Sequence, residues 1–158
     1  MMGTDTAIVS GLLDKIIGAA RSLVRLRCDD PQTLLECLRR HSIRTGQSLY
    51  AWNETGGLRS LRDGELQVPG SRRFHDALRY VIQSAHFGVY FFDMPAPFDA
   101  NITASLLKQA ARLTGERVRR VVLLGECTLP LQVEASDLEW NVAATKKPRM
   151  RDGRWVRA

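Results

Sequence analysis

A three-layer α/β sandwich, built on a mostly parallel sheet of about five strands, is the fold this 158-residue sequence predicts. Three observations carry that expectation. The run Phe87-Gly88-Val89-Tyr90-Phe91-Phe92-Asp93 is apolar and β-prone up to its final acid, as suits a strand buried on both faces inside a parallel sheet. A second short apolar run, Val121-Val122-Leu123-Leu124, has the same character. Stretches with helical spacing separate the strand-like runs, the alternation that yields a parallel sheet covered on both faces. Crossovers in such sheets are right-handed in nearly all cases.

Taken in order, Met1–Thr6 is polar and reads as a frayed end. Ile8, Leu12, Leu13, Ile16 and Ile17 recur at helical spacing and predict an amphipathic helix over Asp5–Ala20. Leu23–Cys28 predicts the first strand. Asp30 followed by Pro31 is an N-cap and first helical residue, and Gly46 is the matching stop for a helix that buries Leu34, Leu35 and Leu38. Ser48–Trp52 predicts the second strand, broken by Asn53-Glu54-Thr55-Gly56-Gly57. From Leu58 to Gly70 turn residues and mixed charge predict an irregular connection, with room for a short strand at Leu66–Val68.

Phe74, Ala77, Leu78, Val81 and Ile82 define a helix starting near Ser71, and the central strand follows it. That strand ends in the turn signal Met94-Pro95-Ala96-Pro97. Asp99 or Asn101 is the cap expected for a helix with Ile102, Leu106, Ala110 and Leu113 inward. Leu129-Pro130-Leu131 closes the Val121–Leu124 strand, and a last strand is expected near Leu138–Val142. There is no internal repeat.

The chain length suits one domain with a real core. No apolar run is long enough to span a bilayer, and the N-terminus lacks the basic, apolar and small-residue segments of a secretory signal. Cys28, Cys37 and Cys127 are odd in number and lack metal-ligand spacing. They read as reduced thiols, and the chain as cytoplasmic. The formal charge is +6, but Thr145–Ala158 holds six Lys or Arg residues against one Asp, so +5 of it belongs there. Residues 1–144 are therefore read as a near-neutral α/β domain and residues 145–158 as a basic tail. Apolar periodicity stops after Val142, Lys147-Pro148 opposes a helix, and the tail is expected to be mobile or extended.

The chemistry expected first of this fold is nucleotide binding. A phosphate cradle needs glycines whose N–H groups approach the phosphates, with a Lys and a Ser or Thr for charge and magnesium. The first strand is followed instead by Cys28-Asp29-Asp30-Pro31-Gln32-Thr33, without glycine or lysine and with two carboxylates in the phosphate position. The only glycine pair, Gly56-Gly57, lacks the following Lys-Ser/Thr. The fold is thus expected to be P-loop NTPase-like but without the P-loop. Neither catalysis nor a cofactor is expected.

Asp93 stands where a Walker B acid would close its strand; a turn or cap role before Pro95 explains it without any phosphate site. His41, His75 and His86 have no mutual metal spacing, and Ser42 and Ser84 lack an acid to complete a nucleophile triad. Asp29, Asp30 and Asp93 could meet at one sheet edge around a cation, though helix caps explain the first two.

Leu23-Val24-Arg25-Leu26, Asp29-Asp30, Leu49-Tyr50-Ala51-Trp52 and Gly57-Leu58 follow one another as strand, acidic turn, aromatic-x-Trp strand and Gly-Leu. With Ala77–Tyr80, Val89–Asp93, Val121–Leu124 and Leu129-Pro130, this resembles the N-terminal, degenerate ATPase-like domain of certain bacterial, cyanobacterial and plastid AAA ATPases. The resemblance runs from about Ile8 to Val142. It implies five parallel strands and a domain that does not itself hydrolyse ATP. Family members continue into a full AAA module, where this sequence carries its basic tail; with that departure, catalytic function is not carried over and a free-standing pseudo-ATPase domain is expected.

Two classes of function follow. One is a non-enzymatic adaptor or assembly subunit docking on another protein, an ATPase among the candidates. The other is a nucleic-acid-binding accessory protein in which Lys146, Lys147, Arg149, Arg151 and Arg154 contact phosphates and Trp155 stacks on a base. Composition alone fits a solvated end equally well. The adaptor reading is preferred because the domain offers no second basic patch.

Overall fold

The computed structural model describes residues 2–64, 66–84, 86–94, 104–113, 118–125, 128–140, 149–151 and 154–156. Helix α1 spans Met2–Ile17. It begins earlier than its apolar spacing suggests, because the polar opening residues continue the helix instead of fraying. It also ends earlier than Ala20, and the reason lies a hundred residues away. Arg120 donates to the carbonyls of Ile16 and Ile17 at 3.1 and 2.7 Å and so terminates the helix.

Strand β1, Leu23–Cys28, and helix α2, Pro31–Thr45, follow as expected. The Asp30 carboxylate accepts from Thr33 N at 3.2 Å and Thr33 Oγ1 at 2.7 Å. Gly46 closes the helix at φ 75°, its N–H on Ser42 O, a left-handed position that glycine takes without a Cβ penalty.

Strand β2 is Leu49–Asn53 and strand β3 is Gly57–Ser60, an antiparallel partner where an irregular connection was expected. The Asn53 side chain accepts from Thr55 N and Gly56 N at 3.0 and 2.6 Å, so the apparent break is a side-chain-stabilised turn. Leu66–Val68 forms a single bridge, Arg59 with Gln67, not a strand. It nevertheless covers the outer edge of β3 through Ser60 N to Leu66 O and Val68 N to Leu58 O.

Helix α3 is Phe74–Gln83, starting three residues after Ser71. Ser71 is instead a junction: its Oγ accepts from Leu58 N and donates to Val68 O, and its carbonyl accepts from Trp52 Nε1 at 2.8 Å. Strand β4 is Gly88–Asp93, helix α4 is Ala104–Ala110, strand β5 is Arg119–Leu124 and strand β6 is Ser136–Trp140. Asp99 and Asn101, the expected caps of α4, and the turn from Pro95 lie outside the described residues, as does Ile102. Leu107 and Ala110 are the fully buried residues of α4, while Leu106 and Leu113 are only partly buried. β6 lies two residues earlier than expected because it pairs with β1 from Val24–Ser136 to Cys28–Trp140.

The main sheet runs β3-β2-β4-β5-β1-β6, with five parallel strands and β3 antiparallel. From β1 the chain crosses to β2 in one direction through α2, then returns through α3 and α4. Right-handed crossovers in opposite directions must lie on opposite faces. Accordingly, α1 and α2 pack on Val24, Leu26, Val89, Phe91 and Val122, while α3 and α4 pack on Leu23, Tyr90, Phe92, Val121 and Leu123. The three-layer α/β sandwich is thus present.

β4 occupies an interior position with both faces covered, as its unbroken apolarity requires. Trp52, Phe74 and Phe92 meet with ring centroids 5.4–5.6 Å apart. Beyond the main sheet, β7, Arg149–Arg151, and β8, Arg154–Val156, pair antiparallel as a separate two-stranded ribbon. No helix among the described residues is long and apolar enough to cross a membrane.

Candidate functional site

In an open parallel sheet, ligands gather beyond the carboxyl ends of neighbouring strands whose crossovers leave in opposite directions. β1 and β5 are such a pair: α2 leads from β1 toward β2, and the chain after β5 crosses the other way to β6. At this point stand Cys28 at the end of β1 with Asp29 and Asp30 after it, Gly125 after β5, and Asp93 at the end of adjacent β4.

The chemistry there is set by buried and negative groups. Burial pushes the Cys28 thiol up to about 11, and the charges of Asp29, Asp30 and Asp93 add to the shift. The thiol is therefore held in its protonated form at neutral pH. Burial also raises the Asp93 carboxyl above its ordinary range. Its Oδ2 accepts from Gln32 Nε2 at 3.3 Å, which joins the end of β4 to the first turn of α2. Asp30 is engaged in capping α2. Among the described residues no group of three His, Cys, Asp or Glu side chains is arranged to hold a metal ion, so Asp29, Asp30 and Asp93 do not form the cation site weighed from sequence.

A second site lies to the side of this one, on the face shared with α3 and α4. The crossover from β5 to β6 contains no helix among its described residues, so that face of β1 beyond the buried Leu23, and of β6, has no helix over it among the described residues. A cleft of about 610 Å³ opens there, lined by Arg25 and Arg27 of β1, Asp137, Leu138 and Glu139 of β6, and Gly125 and Thr128. Strand register sets Arg25 opposite Asp137 and Arg27 opposite Glu139. Arg25 Nε and Nη2 donate to the two Asp137 oxygens at 2.7 and 3.0 Å. This bidentate bond, then the charges of Arg25 and Arg27, hold the Asp137 carboxyl below its usual range. Arg21 pairs with Glu134 at the start of the same row. The row is thus basic on β1 and acidic on β6, with the acids at the sheet's edge.

The residues singled out from sequence are not brought together here. Asp93 lies at the carboxyl edge. Arg149 and Arg151 are in β7, and Arg154 and Trp155 in β8. Lys146 and Lys147 lie outside the described residues. The cleft residues were not singled out, yet one signal was available: arginines at alternate positions, 25 and 27, in a strand otherwise suited to a sheet interior mark a face that no helix covers.

Residues 9–139, well over half of the chain, match the family model described as SpoVK-like AAA ATPase, N-terminal domain. No curated protein and no solved structure matches. The matched region runs from α1 to the penultimate residue of β6, taking in both sites but not the β7–β8 ribbon. The strand order, two-faced helix cover and acidic turn after β1 are therefore features of a whole matched domain, and the chain belongs to the family of SpoVK-like AAA ATPase N-terminal domains.

Proposed function

We propose that this chain is a non-enzymatic docking domain, an adaptor or assembly subunit that engages another protein, with an AAA ATPase the first candidate. The observation that carries this reading is the family match to an N-terminal domain rather than to the ATPase module. Two physical points support it. The switch point presents Asp29, Asp30 and Asp93 where phosphates would lie, and carboxylates repel a triphosphate. The basic segment Thr145–Ala158 supplies a polycationic strip with Trp155 as an aromatic anchor. Such a strip suits an acidic groove, where the aromatic residue carries affinity and the arginines set register. In this reading Lys146, Lys147, Arg149, Arg151, Arg154 and Trp155 are the contact residues, and the setting is cytoplasmic.

The test joins capture to stability. Deleting Thr145–Ala158 leaves the melting temperature nearly unchanged and abolishes capture of an AAA ATPase from the same source. ATP with magnesium produces neither phosphate release nor a melting shift. Turnover abolished by Asp93→Ala, or a nucleotide-induced shift of several degrees, refutes the reading. Nucleic-acid binding through the same segment rests on composition alone. It would weaken steeply with salt, since each phosphate contact releases a counterion.

A further inference from the structure

We propose that the outer edge of β6 accepts the β7–β8 ribbon of a second copy of this chain, making a reciprocal dimer by strand addition. The inference rests on the reading of the basic segment as a docking element and adds a second copy of this chain as a further partner for it.

The two edges of the main sheet differ. At β3 the outer edge is covered by Leu66–Val68 through two backbone hydrogen bonds. At β6 no strand among the described residues pairs with the outer edge. An uncovered edge is a row of backbone donors and acceptors ready to pair with another strand. The β7–β8 ribbon has the matching deficiency. It has three residues per strand, which among the described residues pair with each other alone, and a two-stranded ribbon of that size is marginal in water unless another strand extends it.

Sequence pattern makes the two edges complementary. β6 carries Asp137-Leu138-Glu139, acid-apolar-acid, and β7 carries Arg149-Met150-Arg151, base-apolar-base. Side chains alternate along strands. Any pairing that places Met150 opposite Leu138, parallel or antiparallel, therefore sets each arginine against an acid, a favourable cross-strand pair. Asp137 has capacity for this. Its side chain is 63% exposed, and the bidentate bond from Arg25 uses two of about four lone-pair sites on the carboxylate.

The same pattern disfavours β6 pairing with β6 of another copy. An antiparallel pair centred on Leu138 would set Asp137 against Glu139, like charges face to face. Because each chain carries one acceptor edge and one donor ribbon, mutual exchange satisfies both and closes with two-fold symmetry.

Sedimentation of the full chain over roughly a hundred-fold concentration range through the micromolar region tests this. Wild type is expected to rise from the mass of one 17.8 kDa chain toward twice that. It should fall back in about 1 M salt, where the Debye length is about 3 Å. The full-length variants Asp137→Lys/Glu139→Lys and Arg149→Glu/Arg151→Glu should each remain monomeric. Mixed one to one, they should regain the dimer mass, because the reversed edge of one then faces the reversed ribbon of the other. That recovery also shows both variants folded.

A wild type that stays monomeric throughout overturns the proposal. So does a dimer that survives charge reversal on either side, since its interface lies elsewhere. Capture of an AAA ATPase is measured on the same proteins. A monomeric wild type that still captures through Thr145–Ala158 overturns the dimer and leaves the docking function standing.

Discussion

Replacing Arg119 with methionine removes one guanidinium and unties the end of a helix. Arg119 opens β5, and its Nη1 donates to Ser84 O at 2.6 Å, Ile82 O at 2.7 Å and Val81 O at 3.3 Å. These carbonyls lie at the C-terminal end of α3 and its cap residue Ser84, where carbonyls run out of following turns to bond them; of the three, Val81 O also accepts from Ser84 N at 3.2 Å. One nitrogen carries two hydrogens, so the two short contacts count fully and the third is shared. Hydrogen bonds from a charged donor are worth about 1.5–3 kcal/mol net, and a cation at a helix C-terminus adds about 0.3–1 kcal/mol. The side chain is half-buried, so water replaces part of what is lost. A loss of about 2 kcal/mol is the expected result, or roughly 4–8 °C in melting temperature for a domain of this size. Methionine keeps the aliphatic stem, which separates the hydrogen bonds from the packing. Urea unfolding measures the loss, and hydrogen exchange locates it: the last turn of α3 should exchange faster while α1 is unaffected. A loss below about 0.5 kcal/mol would mean that solvent satisfies these carbonyls equally well, and the capping argument fails.

Two other outcomes follow from the core and the carboxyl edge. Phe91 is fully buried in β4 against α1 and α2, so Phe91→Ala should cost about 3–5 kcal/mol in chemical unfolding; a cost under about 1 kcal/mol contradicts its interior position. Burial raises the Asp93 carboxyl, so the folded state binds this proton more tightly than the unfolded chain does. Its contribution is fully present below the unfolded carboxylate range and is lost as pH rises through the folded value. Asp93→Asn, which keeps an acceptor for Gln32, should therefore stabilise the protein at pH 7 and make no difference at pH 3. A variant equally or less stable at pH 7 would mean that the ionised carboxylate is well accommodated.

The parts of the fold legible in the sequence are those whose causes are local. Asp30-Pro31 and Gly46 mark α2 at both ends because each acts on its own helix terminus. Phe87–Asp93 declares an interior strand because no exposed face interrupts it. What stayed hidden depends on distant groups. The stop of α1 belongs to Arg120, and the stop of α3 to its neighbour Arg119. Successive strand residues face opposite ways, so this Arg-Arg pair ties helices on opposite faces, which no local pattern announces. β3 was obscured because Asn53-Glu54-Thr55-Gly56-Gly57 carries the residues of a break, and only the register beyond it makes the break a hairpin. The cleft over β1 and β6 was hidden because it depends on a crossover without a helix.

That missing helix bears on where this domain meets other molecules. In a sheet of this order a ligand at the switch point would lie between β1 and β5. Anionic phosphate there would meet Asp29 and Asp30 and the half-buried Asp93, with no cation among the residues of that turn. The carboxyl edge thus disfavours the ligand class its geometry invites. The lateral side has the reverse properties. Its rows of Arg25 and Arg27 against Asp137 and Glu139 are partly exposed, balanced in formal charge and flanked by a strand edge with which no strand among the described residues pairs. The Arg25–Asp137 pair is already made, and the edge beside it gains backbone hydrogen bonds from any added strand. The β6 side is therefore the more favourable of the two for an added strand. A strand carrying alternate basic residues is the partner that the alternating acids Asp137 and Glu139 of β6 favour.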